Sequence, residues 1–63
     1  MPTKKEMVAE LERRMRMYWN YHENWREQFE VNPNNITAQI LKEYYKGKAH
    51  ATEEAMRVVN GFF

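Results

Sequence analysis

The chain has 63 residues, ten basic against nine acidic side chains and a net charge of +1. That balance is far from the basic excess of a typical nucleic-acid binder, and the length allows one domain close to the lower limit for an independent core. With no cysteine, disulfides and cysteine-ligated zinc are excluded, which leaves oligomerisation as the expected remedy for so small a core.

Thr3 followed by Glu6 forms a capping-box pattern in which each residue can satisfy a free backbone N–H of the other, and it predicts a helix start. Val8, Leu11, Met15, Tyr18, His22, Trp25 and Phe29 then alternate at three and four, a heptad seam. Proline disfavours helical geometry in the residue before it, so Asn32-Pro33 predicts the helix end, giving a helix over 3–31. Asn32-Pro33-Asn34-Asn35 reads as the turn, and Asn34 or Asn35 can cap a second helix over 36–60. Gly61 can take the left-handed conformation at its end, with Phe62 folding back onto Met56 or Arg57.

Gly47 is the one point where the second helix could break. Lys48 follows it, where a glycine stop favours an apolar residue, so the helix is read through. Gly47, Ala51 and Ala55 then form a smooth ridge. Pairing residues whose numbers sum to about 65 sets Phe29 against Ile36, Trp25 against Ile40, Tyr18 against Gly47, Met15 against Ala51 and Leu11 against Ala55, large on small throughout. The expected fold is all-α, one antiparallel two-helix hairpin over 1–63. A second stripe, Leu41, Tyr45, Thr52, Met56, Val59 and Phe63, is left uncovered by this pairing. Leu41, Tyr45, Met56, Val59 and Phe63 are therefore the candidates for the interface of a homodimer, a four-helix bundle of two hairpins.

Little in the chain supports catalysis. There is no serine, cysteine or aspartate for a nucleophile and its base, and two glycines cannot build a phosphate-cradling loop. His22-Glu23-Asn24-Trp25-Arg26 opens like a zinc-protease motif but carries arginine where the second ligand belongs. His22 is read instead as a partly buried side chain bonded to a carboxylate or tyrosine. No enzyme activity, metal or cofactor is expected. Glu10 with Arg14, Glu12 with Arg16 and Glu53 with Arg57 have the spacing of solvated ion pairs. The flank Arg13, Arg16, Trp19, Asn20 and Tyr21 mixes guanidinium and aromatic groups, and these five residues are the candidates for partner binding. The charged amino terminus and the absence of a long uncharged span predict a cytoplasmic protein that does not enter membranes.

Tyr44, Tyr45, Gly47, Lys48, Ala49, Glu53, Glu54 and Ala55 resemble the second helix of small helical-hairpin proteins of phages and prophages of Gram-positive bacteria. That resemblance covers about a quarter of the chain and implies a regulator that acts by binding a host or phage protein. The aromatic first helix departs from that group. The expected dimer is also similar in architecture to the plasmid copy-number regulator Rop, which implies a nucleic-acid-binding dimer as the alternative. A structural assembly subunit is the third expectation.

Overall fold

Two α-helices packed against each other make up the protein in a computed structural model that describes residues 2–61. α1 spans Lys4–Val31 and α2 spans Ile36–Asn60. The start of α1 is held by the Thr3 hydroxyl, which accepts from the Glu6 N–H at 3.1 Å. Its carbonyl accepts from the Met7 N–H at 2.9 Å.

The turn is short because asparagine side chains replace the missing backbone partners. Asn32 leaves the helix in an extended conformation and its side-chain oxygen accepts from the Asn34 N–H at 3.2 Å. Asn35 then caps α2, accepting from the Ala38 N–H at 3.0 Å. At the far end Gly61 adopts φ 77°, a left-handed conformation that a side chain disfavours, and its N–H reaches the carbonyls of Arg57 and Val58. The expected contact of Phe62 lies outside the described residues, as does Phe63.

The chain returns antiparallel, so Trp19 meets His50 and Glu53 while Phe29 lies under Lys42. All seven seam residues of α1, from Val8 to Phe29, are half-buried. The face that α2 turns inward differs from the expected one. Its fully buried residues are Ala38 and Ala49, both 0% exposed, and Leu41, Tyr45, Thr52, Met56 and Val59 are half-buried along the same side. Ile36 and Ile40, expected opposite Phe29 and Trp25, are instead 68% and 61% exposed. Gly47 and Ala51 also face outward, and a Cβ added at Gly47 would meet nothing within 4 Å. The pairing of Tyr18 over Gly47 is thereby overturned, as is the premise that the Leu41–Val59 stripe is uncovered.

The physical principle behind the expectation survives with different residues. Tyr18 and Trp19 are too large for two helix axes to approach unless something small lies opposite, and the small residue is Ala49. It sits between Lys48, whose ammonium lies 5.9 Å from the Tyr18 ring centre, and His50, whose ring meets Trp19 edge-on at 5.3 Å. No large side chain is fully buried among the described residues. Two helices have room to sandwich side chains but not to surround them.

Surface ion pairs decorate the outside of the hairpin. Glu10 accepts from Arg13 at 2.6 Å and from Arg14 at 3.0 Å, and Glu12 pairs with Arg16. Arg26 bridges Glu23 and Glu30. Hydrogen bonds from Arg13, Arg26 and Lys42 respectively hold the carboxyls of Glu10, Glu23 and Glu43 below the usual carboxylate range. In the folded state these groups bind fewer protons than in the unfolded chain, so their contribution is present above the unfolded carboxylate range and is lost as pH falls through the folded values. All three are exposed and therefore screened. Melting temperature should decline as pH drops from 5 to 3, and 1 M salt should flatten that decline. An unchanged melting temperature across this window at low salt would show that the pairs contribute nothing.

Candidate functional site

The outer face of α1 points away from α2 and carries a shallow groove of about 620 Å³. Its lining includes Arg13, Arg16, Met17, Asn20 and Tyr21. One helix supplies all of these, because positions 13, 16, 17, 20 and 21 recur at three and four and so share a face. Four of the five residues expected to bind a partner thus come together, and Met17 joins them. Met17 stands four residues from both Arg13 and Tyr21, the spacing that puts it on the same stripe.

Trp19 is the exception. Its indole N–H donates to Glu53 Oε1 at 3.4 Å, and its ring meets His50 at 5.3 Å and His22 at 5.5 Å, both edge-on. It therefore belongs to the contact between helices. Tyr21 is divided between the two roles, packing on Tyr45 at 5.1 Å while remaining 44% exposed.

The arginines are not bare charges. Arg13, which is outside the ion pairs expected from i,i+4 spacing, takes Glu10 in a bidentate grip with bonds of 2.6, 2.8 and 3.2 Å. Glu10 is shared with Arg14, and Arg16 is held by Glu12. The reason is geometric: a guanidinium reaches a carboxylate three residues back as readily as four. Glu53, expected to pair with Arg57, turns instead to Trp19 and to His50 at 3.6 Å.

His22 is a strap between the helices. Its Nδ1 lies 2.8 Å from the carbonyl oxygen of Lys42, a separation at which the nitrogen must donate. The expected carboxylate or tyrosine partner is replaced by a backbone carbonyl of α2. Beside it the Lys42 stem lies across the seam, with its ammonium 4.9 Å from the Phe29 ring centre and 2.8 Å from Glu43.

Of the dimer candidates, Tyr45 stacks on Tyr18 at 6.3 Å, Met56 lies beside Met15, and Val59 beside Leu11. Leu41 is half-buried on the same face. These four are thus engaged or partly covered within the hairpin. Among the described residues no three potential metal ligands lie together, and no helix is long and apolar enough to cross a membrane.

Fold and surface define a two-helix hairpin with two outer faces of different chemistry: polar and arginine-bearing on α1, apolar on α2. Comparison with protein-family models, curated proteins and solved structures finds no match.

Proposed function

We propose that the chain is a non-enzymatic interaction module: a homodimeric cytoplasmic hairpin that holds a protein partner against the outer face of α1, as a phage or prophage regulator would. The observation that carries this reading is the gathering of Arg13, Arg16, Met17, Asn20 and Tyr21 along one groove. Arginine, methionine and tyrosine are the residue types enriched at protein interfaces, where each combines apolar area with a polar end. Glu10 and Glu12 offset two of the three guanidinium charges of Arg13, Arg14 and Arg16, so the face presents hydrogen-bond donors with little net positive charge.

That neutralisation also weighs against the alternative of a Rop-like nucleic-acid binder. Phosphate would have to compete with carboxylates already held by all three arginines of the segment. Two measurements test the choice. Titration with an RNA duplex at 50 and 200 mM salt should show no steep salt dependence; a loss of roughly 10³-fold in affinity over that range would mark phosphate neutralisation and overturn the reading. In a pull-down from the source cell, Met17→Glu should abolish recovery of the partner while shifting stability by no more than about 0.5 kcal/mol, as expected of an exposed position. Recovery of the same partner by Met17→Glu would move the site elsewhere.

A further inference from the structure

The outer face of α2 is the least expected feature of the hairpin. At 3.6 residues per turn, Ile36, Ile40, Tyr44, Gly47, Ala51 and Val58 fall within about 80° of arc, nearly opposite the buried Ala38 and Ala49. Tyr44 and Val58 on the same stripe are 51% and 62% exposed. The stripe runs from Ile36 to Val58, nearly the whole of α2, roughly 33 Å at 1.5 Å per residue. Glu54 shares the angle of Ile36 at one edge of this arc, Glu43 stands about 20° beyond it, and at the other edge the Lys48 ammonium lies 5.1 Å from the Tyr44 ring centre.

Its pattern is directional. The first half carries the bulky residues Ile36, Ile40 and Tyr44, and the second half carries the small residues Gly47, Ala51 and Ala55 before ending in Val58. Ile36 and Val58 each stand eleven positions from Gly47. An isologous interface requires a surface complementary to itself after a two-fold rotation, and this stripe meets that requirement when laid antiparallel on its own copy. Ile36 then meets the second copy's Val58. Ile40 enters the space above its Ala51 and Ala55, and Tyr44 covers its Gly47 and Ala51. Glu54 lies opposite Ile40 in this register, at the edge of the stripe, on the flank that also carries Gln39 and Glu43 of the second copy.

We propose that a second copy of the chain covers this face, with α2 antiparallel to α2 and Gly47 against Gly47 near the two-fold axis. Glycine is required there because two backbones approach most closely where neither carries a Cβ. Area supports the same occupant. The hairpin exposes 4912 Å², against about 4400 Å² for a compact monomer of its 7.8 kDa. Removing that excess from two copies buries about 1,000 Å² in total, where specific interfaces begin. Because α1 and the stripe lie on opposite sides of α2, the product is a slab of four helices in the order α1, α2, α2, α1. A square bundle would need adjacent faces.

This inference rests on the proposal that the chain is a homodimer, and the two can fail separately. Sedimentation equilibrium on the wild type tests the dimer: a folded monomer throughout the micromolar range overturns both. The absence of cysteine makes the surface directly addressable. Ile36→Cys and Val58→Cys chains, mixed and oxidised with glutathione disulfide, should yield mainly the mixed 36–58 disulfide, identified by mass, since that bond demands close approach of the two positions. Ile40→Glu should raise the dimer dissociation constant by roughly 30-fold or more, as loss of an interface anchor does, while leaving the helical circular-dichroism signal in place. A 36–36 disulfide as the main product overturns the antiparallel geometry. A dimer that resists Ile40→Glu and forms no 36–58 disulfide overturns the surface and leaves the homodimer standing.

Discussion

Ala49→Leu should weaken the hairpin by roughly 1 to 3 kcal/mol, the range for forcing extra methylenes into a closed site, whereas Ala51→Leu should shift it by no more than about 0.5 kcal/mol. The two substitutions are chemically identical and two residues apart. Ala49 is 0% exposed at the level where Tyr18 and Trp19 cross α2, so a leucine there must push the helices apart or displace a ring. Ala51 faces solvent on the hairpin. A domain of this size commonly has only about 3 to 5 kcal/mol in hand, so Ala49→Leu consumes much of it. Urea denaturation at a concentration below self-association measures both. Equal losses at the two positions would mean that α2 is rotated from the orientation described, and a loss at Ala51 alone would restore the face expected from sequence.

Trp19→Ala should cost the fold about 2 kcal/mol, below the 3 to 5 kcal/mol typical of a fully buried tryptophan because Trp19 is only half-buried. Its indole fills the space between His22 and His50 and donates to Glu53, so truncation removes packing and a hydrogen bond together. Trp19→Phe should recover part of the packing and none of the bond. Thermal melts of the three proteins give the ordering. Near-identical melting of wild type and Trp19→Ala would place Trp19 outside the fold and return it to the partner-binding set.

These two experiments mark the boundary of what was legible without a structure. That the chain is helical, and that α1 offers its Val8–Phe29 seam to α2, follows from residue spacing, which alone determines which side chains share a helical face. Thr3, Asn35 and Gly61 act at helix ends because the backbone groups left free there need partners or a left-handed turn. Such effects depend on residues only a few positions apart, and a sequence displays them directly.

The orientation of α2 about its own axis is a different kind of fact. Both of its sides are apolar at helical spacing: one bears Ala38, Leu41, Tyr45, Ala49 and Met56, the other Ile36, Ile40, Gly47, Ala51 and Val58. Either can set small residues opposite the large ones of α1, so hydrophobic pattern and volume matching leave the choice nearly degenerate. The side facing α1 carries contacts that the other lacks. His22 donates to the Lys42 carbonyl, Trp19 to Glu53, and Lys42 covers Phe29, all between residues far apart in the chain. The sequence by itself determined two helices, their ends and the inner seam of α1, because those rest on local spacing. Only the tertiary structure decided which face of α2 is buried and which residues remain on the surface, because that depends on long-range polar contacts whose partners no local pattern brings together.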